Sequence, residues 1–231
     1  KYLKNIDSLG ARSLSQAKQI KEILKLEKLP FVCNSGVPDE YLKNYRLNTE
    51  KYRNIKTWKI TYVGRLVSYK NIDSTIKALS EIRDVEWEFN IVGDGASRTE
   101  LEELAQNLNC ADKVHFWGRV SRDKVMQILE DTHIFVMIST NEIFGLVYLE
   151  AMAASCLTIA SKNGGVDGII KCEKNGFLCE EGNDKELHSI LNRITKKEID
   201  EISNIVEMGY KTAREYSDSE VARVYIKNIT Q

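Results

Sequence analysis

The chain has 231 residues, 42% hydrophobic and 29% charged, enough for one sizeable core or a core plus a partial second unit. Thirty-three basic residues against thirty-four acidic ones leave a formal net charge of −1, so no global field recruits nucleic acid or an anionic membrane, and any partner must be bound locally. Five cysteines (Cys33, Cys110, Cys156, Cys172 and Cys179) form no CxxC pair, which predicts reduced thiols used as core filler in a cytosolic protein.

The chain opens on Lys1 inside what reads as a structural unit, so a fragment or trimmed protein is expected, and no signal peptide precedes the first strand. Residues 1–56 supply one strand in IDSLGAR, one helix in SLSQAKQIKEILKLEKLP and an extended connector through FVCNSGVPDEYLKN. A single strand and helix cannot bury a core of their own, which predicts the tail of another α/β domain followed by a linker. The helix sets Lys18, Lys21, Lys25 and Lys28 beside Ile20, Ile23 and Leu24, as a membrane-surface helix would. Glu22 and Glu27 dilute that pattern toward an ordinary solvated face.

From residue 58 onward, the runs WKITYV, EFNIVG, KVHFWG, HIFVMIS and LTIAS alternate with helical patterns near 71–82, 97–109, 121–131 and 145–154. Ile72, Ile76, Leu79 and Ile82 mark the helical spacing of the first of these. Nearly apolar strands linked by helices predict an α/β fold, a parallel sheet with helices on both faces. None of the apolar runs approaches the roughly 18 residues of a membrane span. After NGFLCEEGN the chain turns helical and charged, with DKELHSILNRI and SDSEVARVYIKNI each opening at an Asp or Ser suited to capping.

In such a sheet a ligand belongs at the carboxyl ends of the strands, and the loops there are unusual. In VGRLVSYKN, Arg65 and Lys70 follow a strand and suit a pair of phosphates, or serve only as solvated cations. Gly93 and Gly95 in VGDG permit close approach of a ligand, or simply form a turn with a cap. Arg119 and Val120 after FWG could wall a flat base, with Ser121 as a plain N-cap. In STNEIFGLVYLEAM, a helix opening near Phe144 or Gly145 aims free amides and its positive end at an anion, and Gly145 leaves room for one. Glu142 and Glu150 can each accept a sugar diol; alternatively Glu142 only favours the helix dipole and Glu150 only pairs with a neighbouring Arg or Lys. Asn163, Gly164 and Gly165 form either a tight turn or a surface against a ligand.

Taken in order, GRLVSYK, VGDG, FWGRV, NEIFGLVYLEAMA and SKNGG…NGFLCEEGN resemble the carboxyl-terminal domain of the retaining GT-B glycosyltransferases of family GT4, over about residues 30–230. The most specific element is the E-x7-E spacing of Glu142 and Glu150. The resemblance implies a Rossmann-like carboxyl-terminal half of a GT-B fold, with residues 1–36 as the tail of an amino-terminal acceptor domain plus linker and 37–231 as the domain that binds a nucleotide-sugar donor. Arg65 and Lys70 would hold the diphosphate and stabilise the departing charge; Glu142 would contact the transferred sugar and Glu150 the ribose. Phe144, Gly145 and Leu146 would present the helix-opening amides, Gly93 the open loop, and Arg119 and Val120 the wall around the base.

The implied activity is hexosyl transfer with retention from a UDP-sugar, or alternatively a GDP-sugar, to a saccharide or lipid-linked acceptor in bacterial surface polysaccharide or glycolipid synthesis. It implies a cytoplasmic location, with peripheral association at the inner face of the membrane left open, and no metal: no D-x-D and no His or Cys cluster with metal spacing occurs. The alternatives are a non-catalytic nucleotide-binding module and a GT-B sugar-nucleotide epimerase. Two departures stand out. Gly168, preceded by Asp167, occupies the place of the glutamate in the family's GG-x-x-E pattern. Nearly all of the acceptor domain has no counterpart, so this fragment alone is expected to bind donor but to turn over poorly, if at all.

Overall fold

The computed structural model describes residues 8–166 and 168–230; Asp167 and the start of the IDSLGAR strand lie outside them. Two parallel strands, β1 (Gly10–Ala11) and β2 (Phe31–Val32), flank helix α1 (Leu14–Leu24) and form a separate two-stranded sheet. Ser13 caps α1 by accepting from the Gln16 amide, and Lys25 ends it in the left-handed region. The connector is less extended than expected: Asp39–Asn44 forms a short helix, α2, after Pro38, and Glu50–Tyr52 a 3-10 turn. Pro38 places its fixed φ before the first turn, where a missing N–H costs nothing.

The main sheet is built from β3 (Thr57–Val63), β4 (Glu86–Val92), β5 (Val114–Gly118), β6 (Ile134–Met137), β7 (Leu157–Ser161) and β8 (Phe177–Cys179). Every pairing is parallel and the spatial order is β5-β4-β3-β6-β7-β8. The five expected strands are present; β8, inside NGFLC, is an addition, since three residues carry too short a pattern to read. The connecting helices are α3 (Ile72–Ser80), α4 (Arg98–Asn107), α5 (Arg122–Glu130) and α6 (Leu146–Ala153), followed by α7 (Asp184–Thr195), α8 (Ile199–Glu215) and α9 (Asp218–Ile229). Helix α3 packs on α4 and α7, and α6 on α8, so both faces of the sheet are covered. Strands β6 and β7 are buried along their whole length, as double coverage requires.

Asn183, not Asp184, caps α7, leaving Asp184 in the first turn, where its charge favours the dipole; Ser217 caps α9 as expected. Helix α9 runs back to the small sheet: Val37 bonds to both Tyr216 and Asp218, and the Phe31 and Tyr225 rings lie 6.1 Å apart. It leaves Val224, Ile226 and Ile229 exposed. Among the cysteines, Cys110, Cys156 and Cys179 are buried and Cys33 is half-buried, but Cys172 is exposed at an isolated bridge to Gly176 and fills no core.

A buried histidine anchors the connector to the sheet. His133 Nδ1 accepts from the Lys59 amide at 2.9 Å, its Nε2 lies 3.1 Å from the Lys51 carbonyl, and Tyr52 and Trp58 flank the ring. Burial, with Lys51 nearby, lowers its pKa to about 4. The unfolded chain therefore binds the extra proton between about pH 6.5 and 4, so stability is complete above that window and falls through it, by about 3 kcal/mol in all. The expected outcome is a Tm that drops as pH falls from 7 to 4, with a shallower drop in His133→Asn, followed by circular dichroism.

Candidate donor site at the sheet switch point

The strand order reverses between β3 and β6, and there the loops leaving the two strands diverge to opposite faces. The loop after β3 is held rigidly. The Tyr62 hydroxyl donates to the Arg65 carbonyl at 2.9 Å, and the Leu66 amide to the Asp94 carbonyl at 3.1 Å. A 3-10 turn, Ser68–Lys70, then leads to Asn71 in the left-handed region, whose side-chain amide donates to the Ile138 carbonyl and to Thr140. The Thr140 amide returns a bond to the Tyr69 carbonyl at 2.8 Å. These bonds stitch the loop after β3 to the loop after β6.

Their consequence is an ion pair between Lys70 Nζ and Glu142 Oε2, with side chains only 13% and 14% exposed. Arg65 joins the group through Tyr69, donating to its hydroxyl at 2.8 Å, while Lys70 sits 5.5 Å from the same ring. Sequence reasoning missed Tyr69, although its place next to Lys70 was the available signal. An ammonium has three donors, so the pair leaves Lys70 free to meet a further oxygen.

The amino-terminal end of α6 faces the same place. Leu146 is its first helical residue and Gly145 the cap, at φ +73°, so the helix begins one position later than Gly145. A Cβ at Gly145 would lie 2.4 Å from the Tyr148 ring, which is locked by a 2.6 Å bond from its hydroxyl to the Met137 carbonyl. Phe144 lies outside the helix; its ring is buried and Gly165 is pressed against its backbone. Gly165 thus seats Phe144 while Gly164 lies against Ser161, and Asn163 is exposed, its carbonyl accepting from Ser15. Gly168 is exposed at φ +81°.

Glu150 stands apart from that cluster. It accepts from Arg122 of α5 at 2.6 Å, and the Arg122 guanidinium lies 4.2 Å over the Tyr41 ring of α2. Burial raises the Glu150 pKa, and Arg122 opposes that rise. Twenty-eight residues separate the two, so no local spacing marked Arg122 as a partner.

Gly93 serves packing. Its amide donates to the Gly118 carbonyl, and a Cβ there would sit 1.8 Å from the Gly64 carbonyl oxygen. Asp94 accepts from the Gly95 amide through its side chain and from the Leu66 amide through its carbonyl, while Ser97 makes no side-chain cap to α4. Ser121 does cap α5. Arg119, exposed, and Val120, half-buried, lie between β5 and α5, in the link that carries the chain back across to β6.

A polar cleft of about 680 Å³ opens beside Glu142, between Ser15, Gln16 and Gln19 of α1 and the loops bearing Asn141, Lys162 and Glu181. Among the described residues, no group of three or more His, Cys, Asp or Glu side chains could hold a metal, and no helix is long and apolar enough to cross a membrane.

The model of the glycosyl transferases group 1 family matches residues 47–212. The chain is 31% identical over 124 residues to the N-acetyl-alpha-D-glucosaminyl L-malate synthase of Bacillus anthracis, covering 53% of this chain and 32% of that protein. It is 32% identical over 118 residues to the alpha-monoglucosyldiacylglycerol synthase of Streptococcus pneumoniae, covering 50% and 27%. The chain therefore spans about a third or less of the length of these curated relatives. In fold it is similar to Anabaena HepE solved with UDP and glucose (TM-score 0.83, 20% identity, 96% of this chain, 63% of that one). It is also similar to the C-terminal domain of a group 1 family glycosyl transferase from Francisella tularensis (TM-score 0.66, 24% identity, 79% and 99%).

Because the Gly93 Cβ position coincides with a backbone oxygen that cannot swing aside, Gly93→Ala is expected to cost about 3 kcal/mol or more. A thermal melt should show a Tm lowered by several degrees, or little folded protein.

Proposed function

Since this chain belongs to the glycosyl transferases group 1 family, we propose that it is the donor-binding part of a retaining glycosyltransferase, with residues 37–231 as the donor domain and residues 1–36 as the tail of an acceptor domain. The observation that carries this reading is the Lys70–Glu142 pair at the switch point, beside the open end of α6. An anion and a polyol can be bound there together: Arg65, Lys70 and the Leu146 and Val147 amides meet a diphosphate, and the Glu142 carboxylate accepts from sugar hydroxyls. Glu150 takes the ribose diol, and Arg119 and Val120 border the base. UDP is the favoured carrier, since HepE was solved with it. The acceptor is a saccharide or a lipid-linked glycan, reached through the acceptor domain, in bacterial surface polysaccharide or glycolipid synthesis at the cytoplasmic side of the membrane. The alpha-monoglucosyldiacylglycerol synthase among the relatives is in keeping with a lipid acceptor.

Chemically, the bond from the sugar's anomeric carbon to the β-phosphate oxygen breaks, and its electron pair stays on that oxygen. Lys70, Arg65 and the α6 amides are placed where the negative charge grows. The acceptor oxygen bonds to the same face of the anomeric carbon and yields its proton to the leaving phosphate, which preserves the configuration without a protein nucleophile. Positioning and electrostatics then carry the rate.

Calorimetric titration with UDP and UDP-glucose tests the site. Lys70→Ala is expected to weaken UDP binding about tenfold or more, equivalent to about 1.4 kcal/mol. Glu142→Gln should remove the affinity that UDP-glucose gains over UDP. Unchanged binding in both variants would rule the site out.

A further inference from the structure

We infer that Arg122 is a positioning residue for Glu150: it occupies one carboxylate oxygen and so aims the other at the ligand, while Tyr41 of the connector helix α2 holds the guanidinium in place. The inference rests on the reading that Glu150 meets the ribose diol.

Three observations carry it. Arg122 meets Oε1 of Glu150 at 2.6 Å through a single nitrogen, which leaves Oε2 available to a hydroxyl donor. The Glu150 side chain is mostly buried whereas Arg122 is about half exposed, so the acid cannot swing freely and the arginine reaches in from outside. Arg122 is also the first residue of α5, next to the Ser121 cap. A cation there opposes the helix dipole, so helix stability does not account for it. What Arg122 gains is the carboxylate on one side and the Tyr41 face, 4.2 Å away, on the other.

The arrangement also governs the charge of Glu150. Burial raises its pKa, and Arg122 is the group that works against that rise. The other titratable groups on this side are Tyr41 and Tyr45 from the connector, Glu130 at the far end of α5 and Cys156 after α6. The Tyr45 hydroxyl is buried without a hydrogen-bond partner among the described residues, and its pKa is raised by burial, so it supplies no charge. Cys156 is pushed up to about 11 by burial and stays neutral. One further cation lies on this side, Lys51, whose ammonium donates to the Glu130 and Ala154 carbonyls and acts on Cys156 and Glu130; the cation that acts on Glu150 is Arg122. Without it, Glu150 takes up a proton at a higher pH and stops accepting from a diol; the loss is greatest at low pH and lessens as pH rises.

The test is calorimetric titration of the chain with UDP-glucose, whose diphosphate does not titrate near neutrality, at pH 6.0, 7.0 and 8.5. The proteins compared are wild type, Arg122→Ala, Arg122→Lys and Glu150→Gln, with circular dichroism melts to check folding. Arg122→Ala is expected to bind more weakly than wild type at all three pH values, at least fivefold at pH 6.0 and less as pH rises. Arg122→Lys should recover most of the loss, and Glu150→Gln should be weak at every pH. Wild-type binding by Arg122→Ala at all three pH values overturns the inference. So does a loss that is the same at all three and is not recovered by lysine, the mark of a direct ligand contact or a structural role. Wild-type binding by Glu150→Gln would instead defeat the ribose reading itself, leaving the two failures distinguishable.

Discussion

The ion pair between Lys70 and Glu142 depends on strand order before it depends on either residue. The two lie 72 positions apart and meet because β3 and β6 are neighbours whose following helices go to opposite faces, opening a crevice between their loops. Asn71 and Thr140 close the lower part of that crevice with backbone and side-chain bonds. What remains above is a narrow place where one cation and one carboxylate neutralise each other with little water around them. Neither could remain charged there alone without a desolvation penalty, so the pair is a structural requirement as well as a binding device.

A second acid is treated the same way. Glu150 is drawn to Arg122 as Glu142 is to Lys70, and each pair joins elements distant in sequence. A site built from pre-paired charges meets a ligand by exchanging or sharing partners, and its groups are already oriented when that happens. Tyr69 and Tyr41 play parallel parts, each lending a ring or a hydroxyl to a cation. The difference lies in exposure: Lys70 is enclosed, whereas Arg122 stands at the surface, where the connector from the small sheet passes.

Close packing constrains the glycines of these loops. Gly93 sits where any Cβ would strike the Gly64 carbonyl, Gly95 lies against the Leu66 backbone, and Gly145 makes room for the Tyr148 ring. Sequence could mark these positions as conformationally special, because only glycine tolerates such contacts. It could not say which neighbour imposed the constraint, since each neighbour belongs to another loop or to a side chain folding back. The same limit explains β8 and α2. Three residues of strand and six of helix carry too little periodicity to separate from a loop, and they form because the sheet edge and α8 offer them partners.

The amino-acid sequence alone determined the alternation of strands and helices and the buried parallel sheet, because apolar periodicity is a local property, and its loop chemistry put Arg65, Lys70, Glu142 and Glu150 forward as candidates. Tertiary structure decided the charge partners. Glu150 reads equally well as a free acceptor or as half of a salt bridge until α5 brings Arg122 to it, and Lys70 reads as a phosphate partner or a solvated cation until β6 brings Glu142. Charge pairing across tens of residues is settled by which strands lie side by side, a non-local outcome of burying the whole sheet at once.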